Sequence, residues 1–396
     1  MPAVIGFLIA LAVAFLQTRG ISFNEKISII AKGVGNDNII TMCLIFLVAG
    51  AFSGSVSAAG GVNSTVNLGL SLLPPGIAVI GLFIIGCFIS ISMGTSMGTI
   101  AALAPIAMGI SEKTNFPIAI CIGAVVSGAM FGDNLSMISD TTIAAVRTQG
   151  CDMRDKFRKN FLIVLPAAIA TIAILFFMTR GTHFTVSKDL DYNIFQVIPY
   201  ILVLVTALIG LNVFIVLICG ITFSVIAGLA TGAMKVSQIF TSMGEGATGM
   251  YDITVISILV ACISALVKYN GGFAFILENI HKHIHSYKGA EFGVAALVGL
   301  IDCATANNTV AIVIAGPIAK EISDDYSIEP ARTASLLDMF ASVFQGIIPY
   351  GAQLLSAASL TGLSSFDIMP YLFYPYLMAI CGIVSIIISK KKLGKA

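Results

Sequence analysis

Phe131-Gly132-Asp133-Asn134-Leu135-Ser136-Met137-Ile138-Ser139-Asp140-Thr141-Thr142 places two carboxylates and five further side-chain oxygen or amide groups within ten residues, between apolar stretches. A charged side chain at bilayer depth costs at least about 2.5 to 3.5 kcal/mol, so two together require a water-filled cavity, a cation or protons. Each of these is transport chemistry.

The surrounding chain reads as having lipid for its solvent. Of 396 residues, 57% are hydrophobic and 10% charged, with a mean hydropathy of +0.99, whereas soluble domains carry about 25% charged residues. Apolar runs cover residues 2–18, 38–60, 161–178, 194–210, 213–231, 251–268 and 370–389, near the roughly 17 to 25 residues of a spanning helix. Backbone polar groups in lipid must pair within their own segment, which makes these runs helices and the chain an all-α polytopic membrane protein. The first run has no basic residue before it and no cleavage pattern at Gln17-Thr18-Arg19, so it is expected to be a retained helix. A net charge of +1 gives no footprint for nucleic acid, and the cysteines form no CxxC pair of metal-site spacing. Membrane lipid is the expected partner, and no cofactor is expected.

Two regions, 76–150 and 289–359, are apolar but broken by Gly, Pro and polar clusters. They read as copies of one unit. Pro105-Ile106-Ala107 with Ile110-Ser111 recurs 212 residues later as Pro317-Ile318-Ala319 with Ile322-Ser323, and three further matches (Gly60-Gly61, Thr99, Gly132) follow in the same order at nearly that offset. Loop charge predicts their relative orientation, because Lys and Arg collect in cytoplasmic loops. Residues 62–75 carry no Lys or Arg, whereas 269–288 hold Lys282 and Lys288; residues 147–159 hold Arg147, Arg154, Lys156, Arg158 and Lys159, whereas 360–369 hold none. Opposite bias at equivalent loops predicts two inverted-topology repeats, with the terminal Lys390-Lys391-Lys392 cluster and the C-terminus cytoplasmic. The chain is expected to be a single transporter unit over 1–396: a first repeat near 38–178, linker helices over 194–231 and a second repeat near 251–389. About nine crossings are expected, with re-entrant hairpins whose tips lie at 94–99 and 305–309 and interrupted helices broken at 132–140 and 346–353.

A hard cation such as Na⁺ must exchange its water shell for oxygen ligands, and Asp133, Asn134, Ser136, Ser139, Asp140 and Thr141 could supply them. Of these, Asp133 and Asp140 are the expected Na⁺ carboxylates, and a carboxylate that takes either Na⁺ or H⁺ is the basis of antiport. The proposed tips add Thr95, Ser96 and Thr99 from one copy and Asn307, Asn308 and Thr309 from the other; Asp338, alone in an apolar stretch, is a third carboxylate. His281, His283 and His285 alternate in a way that gathers no metal site, though they could sense internal pH.

Gly94-Thr95-Ser96-Met97-Gly98-Thr99 and the Phe131–Thr142 stretch resemble the signatures of the NhaC-type Na⁺/H⁺ antiporter family, within the ion transporter superfamily. The resemblance runs over roughly 38–389, with its sharp motifs in the first repeat. It departs at Met137, where the family usually has Pro, and at Ile347-Ile348-Pro349-Tyr350-Gly351, which follows the family's second-repeat stretch loosely. It implies a scaffold and a mobile transport domain, often a homodimer, in the cytoplasmic membrane of a prokaryote. The implied activity is alternating access that exchanges cytoplasmic Na⁺ for external H⁺.

Two other readings stay open. Some relatives resemble carriers of organic acids or amino acids, for which Na⁺ or H⁺ is the coupling ion. An intramembrane aspartyl protease also needs two carboxylates, and Tyr251-Asp252 and Gly132-Asp133 fit in part. Met130, however, stands where that pattern requires Gly, and the Tyr-Asp pair follows rather than precedes it, so no enzyme activity is expected.

Overall fold

The computed structural model describes residues 3–72, 75–137, 139–180, 191–209, 211–284 and 286–389. Lys390, Lys391, Lys392, His285 and Ile138 lie outside the described residues, as do the side chains of His281 and His283.

Among the described residues the chain is helical, with no strand. It opens with α1 (Ala3–Gln17), α2 (Phe23–Val34), α3 (Asp37–Ala58) and α4 (Gly61–Leu72). The first broken region follows as α5 (Pro75–Met93), α6 (Ser96–Thr114), α7 (Ile118–Leu135) and α8 (Asp140–Gln149). Then come α9 (Met153–Thr179), α10 (Ile194–Leu208), α11 (Val213–Thr231), α12 (Ile239–Thr248), α13 (Tyr251–Tyr269) and α14 (Gly272–His283). The second broken region is α15 (Tyr287–Thr305), α16 (Asn308–Tyr326), α17 (Pro330–Ile347) and α18 (Ala352–Thr361), and α19 (Ser365–Ile368) and α20 (Phe373–Ile388) close the chain.

The two broken regions have helices of the same lengths, 19, 19, 18 and 10 residues. Their breaks are built alike. Positive φ occurs at Gly94 (68°) and Ala306 (49°), at Asn115 (52°) and Ser327 (56°), and at Gly150 (68°) and Gly362 (71°), each pair separated by the offset that relates the proline motifs. The half-helices are exchanged in packing: α8 lies on α16 and α18 lies on α6.

Among the described residues, four spans are long and apolar enough to cross a membrane: Ile39–Ala58, Ile118–Gln149, Met153–Thr179 and Phe214–Thr231. Ser365–Tyr371 and Phe373–Ile388 qualify together as one span bent by 55°. Ile118–Gln149 combines α7 and α8. On α9, Val164, Ala167 and Leu175 are buried, yet its outer face carries Leu162 (73% exposed), Ile169 (59%) and Phe177 (67%). A helix apolar all round is one whose outer face meets lipid.

One continuous core joins α5, α6, α7, α9, α15, α16, α17 and α20. Close backbone approach holds α5 to α7: a Cβ at Gly128 would run into the Phe83 carbonyl and come within 3.1 Å of the Cys87 amide. Gly128→Val is therefore expected to push α5 outward and lower stability by at least about 1–3 kcal/mol, the usual cost of overpacking. Thermal unfolding of the purified variant measures this; an unchanged midpoint would refute the close approach.

Candidate functional site

The breaks at Gly94-Thr95, Ser136–Ser139, Ala306-Asn307 and Ile348–Gly351 leave four helices, α6, α8, α16 and α18, starting inside the molecule. First-turn residues of all four line one cavity of about 390 Å³: Ser96 and Met97, Asp140 and Thr141, Asn308 and Thr309, Ala352 and Gln353. Asp133, Ser139, Gln345, Thr95 and Asn307 complete the inner wall, with Thr41 and Ile45 of α3 and Asn212 and Phe214 at the start of α11 opposite.

Asp133 stands at the centre of the polar network. It occupies the last turn of α7 and is 5% exposed. Ser96 Oγ donates to its Oδ2 at 2.8 Å, and Ser139 Oγ donates to its Oδ1 at 2.6 Å. With the Ser139 proton engaged, Thr141 is left to donate to Ser139 across 2.9 Å. From the second region Gln345 Nε2 donates to Gln353 Oε1 (2.6 Å), and Gln353 Nε2 donates to Ser96 Oγ (3.0 Å). The chain of bonds thus runs from one broken region to the carboxylate of the other. No lysine or arginine is paired with Asp133 among the described residues.

Asp140, in the first turn of α8, is exposed to the cavity and has no hydrogen-bond partner among the described residues. Its charge suits a helix N-terminus. Among the described residues no group of three or more His, Cys, Asp or Glu could hold a metal ion. A Na⁺ in this cavity would draw on one or two carboxylates, hydroxyls and freed carbonyls, the donor set of a hard cation.

Four of the residues expected at the site are not brought to the cavity. Thr99 Oγ1 turns back to the Thr95 carbonyl at 2.9 Å, a bond within its own helix. Ser136 Oγ donates to Ile91 O at 2.6 Å and ties the break to α5. Asn134 is buried on the other side of α7, where Asn160 Nδ2 donates to its carbonyl at 3.0 Å and its Oδ1 at 2.8 Å. Asp338 is wholly buried and paired with Lys156, so its charge is already compensated.

Lys156 counted in the sequence as one more loop cation, yet it is 1% exposed. Its ammonium donates to Asp338 Oδ2, to Thr142 Oγ1 at 2.9 Å and to Asn134 O at 2.9 Å. All three of its protons are used, and Asn134 O is one of the carbonyls orphaned where α7 ends. A signal existed: Asp152 caps α9 at Arg154, and counting turns from there puts Lys156, Asn160, Val164, Ala167 and Thr171 on one buried face.

A cavity between interrupted helices, with a buried carboxylate, is the arrangement of a secondary carrier. The chain belongs to the Na⁺/H⁺ antiporter family, whose profile matches residues 1–180 and 192–389, and is a membrane antiporter of that family. It is 24% identical over 392 residues to the malate-2H⁺/Na⁺-lactate antiporter of Bacillus subtilis, covering 90% of this chain and 82% of that one. Its identity to the Na⁺/H⁺ antiporter NhaC of Alkalihalophilus pseudofirmus is 22% over 430 residues, covering 99% and 91%. The arginine/ornithine antiporter ArcD of Halobacterium salinarum is 24% identical over 394 residues, covering 88% and 80%.

Removing Lys156 alone leaves Asp338 buried and unpaired, which costs about 3–5 kcal/mol. Lys156→Met should therefore fold poorly, and Lys156→Met combined with Asp338→Leu should regain most of the loss. Thermal unfolding of the single and double variants decides it; equal midpoints for the single variant and the native chain would show the pair to be idle.

Proposed function

We propose that the protein exchanges Na⁺ for H⁺ at Asp133, moving cytoplasmic Na⁺ out and external H⁺ in by alternating access. One observation carries this reading. Asp133 is a buried carboxylate whose partners among the described residues are hydroxyls alone, while Asp338, also buried, has a lysine of its own. Hydroxyls solvate a charge without cancelling it, and an uncompensated buried charge costs several kcal/mol. Na⁺ or H⁺ cancels it, one at a time, and mutually exclusive occupancy is what couples the two fluxes. Asp140 faces the same cavity and serves as the second carboxylate, and Ser96, Ser139 and Thr141 replace water around Na⁺.

In this reading the two broken regions are inverted repeats in a cytoplasmic membrane, with the C-terminus inside, as the loop charges require. Two access routes related by inversion follow from such a pair. A second reading has Na⁺ or H⁺ as the coupling ion for an organic acid or amino acid. It is favoured by a cavity many times the roughly 30 Å³ share of a water molecule, lined in part by amides.

The test uses purified protein in liposomes with a pH dye trapped inside. Addition of external Na⁺ should alkalinise the lumen, empty liposomes should not respond, and Asp133→Asn should fall to the level of empty liposomes. Native-level exchange in Asp133→Asn would remove Asp133 from the mechanism.

A further inference from the structure

A second cavity, of about 520 Å³, lies between the end of α2, the second half of α13 and the first turns of α16, and shares no lining residue with the ion cavity. Two lysines stand on it. Lys32 belongs to the last turn of α2 and Lys268 to the last turn of α13. These turns are neighbours, because a Cβ at Gly33 would come within 2.5 Å of the Ala265 Cβ, so α2 packs closely on α13 one turn before Lys268. Both lysines are exposed, and neither ammonium has a hydrogen bond or an ion pair among the described residues. No aspartate or glutamate lines the cavity among the described residues. Two ammonium groups without a carboxylate make this rim an anion site, and basic pockets between membrane helices suit anionic head groups.

Away from the lysines the wall is apolar in effect. On α13 the lining runs from Ala261 to Tyr269, about 12 Å of helix, with Lys268 and Tyr269 at one end and alanine at the other. Phe273, Val310 and Ile314 continue it. The serine and threonine of this wall are turned to backbone: Ser264 Oγ donates to Ala304 O at 2.5 Å, and Thr305 Oγ1 donates to Ile301 O at 2.9 Å. An inorganic anion would satisfy the lysines and leave the apolar wall to water. A hydrocarbon chain would cover the wall and leave the lysines unmatched. A phospholipid does both. Choline and ethanolamine head groups bring a cation of their own to the lysines, whereas a glycerol head group leaves the phosphate with its negative charge.

We infer that this groove binds one anionic glycerophospholipid, with its phosphate at Lys32 and Lys268 and an acyl chain along Phe273, Val310 and Ile314. Val310 follows Thr309 of the ion cavity, so the chain borders the second-region break without entering the ion site. The lipid site stands whichever ion or solute the other cavity carries.

The chain has no tryptophan, so Phe273→Trp reports on the groove, and Phe177→Trp, on the outward face of α9 where Phe177 is 67% exposed, reports on bulk lipid. Each variant is reconstituted in phosphatidylcholine vesicles containing phosphatidylglycerol, with brominated chains on one lipid or the other as the quencher. At Phe273→Trp phosphatidylglycerol should be preferred by roughly 25-fold, about fivefold for each lysine; at Phe177→Trp the two lipids should quench alike. Lys32→Gln with Lys268→Gln should bring the groove to parity, arginine at both positions should keep the preference, and inorganic phosphate should not relieve the quenching. Parity at Phe273→Trp, the same preference at both tryptophans, or a preference that survives loss of both lysines would overturn the site. Relief by inorganic phosphate would overturn it too, by showing a site for a free anion. Should Phe273→Trp unfold early, native mass spectrometry of the unsubstituted protein decides: one phosphatidylglycerol should stay bound and be lost from the double lysine variant, and either no retained lipid or retention by that variant would sink the proposal.

Discussion

The rest of the site is arranged around one buried carboxylate. Asp133 is buried in a lipid-solvated protein, receives two hydroxyls and, among the described residues, is paired with no cationic side chain. A chain that needed only stability would place an apolar residue there, because a buried ion without a counterion is among the costliest groups a fold can carry. The surrounding structure tolerates it through breaks in the helices. Those breaks bring Ser96 and Ser139 to the carboxylate and open a cavity beside it.

Lys156 and Asp338 show the other solution to the same problem. This pair is closed in charge, and Thr142 and the Asn134 carbonyl take the remaining protons of the lysine. It lies just behind the break between α7 and α8 and fastens α9 and α17 to the end of α7. Two carboxylates of similar burial therefore have different duties, set by whether a lysine is within reach. The closed pair ties the broken segment to its neighbours, and the open one faces the cavity.

The two broken regions share a geometry and differ in chemistry. Equal helix lengths and matching left-handed residues build two alike frameworks, and exchange of half-helices, α8 onto α16 and α18 onto α6, brings their breaks into one cavity. At equivalent positions one framework has an acid and hydroxyls where the other has amides.

The amino-acid sequence by itself determined the solvent, the helical class and the places where helices break. Lipid permits only internally paired backbone, so apolar length and Gly, Pro and polar punctuation are read directly, and the breaks fall inside the windows predicted around residues 94, 136, 306 and 348. The 132–140 window was too wide at its start, since Gly132, Asp133 and Asn134 remain in the last turn of α7. Only the tertiary structure decided which polar side chains share the cavity. Thr99, Asn134, Ser136 and Asp338 lie close in sequence or in kind to the site, yet Thr99 bonds back to its own helix and the other three point to other helices. Gln345 and Gln353 join it across the molecule. The physical reason is that a helix turns about 100° per residue, so composition says which segment carries polar groups, whereas the neighbour packed against each face decides whether a given group meets a cavity, a lysine or its own backbone.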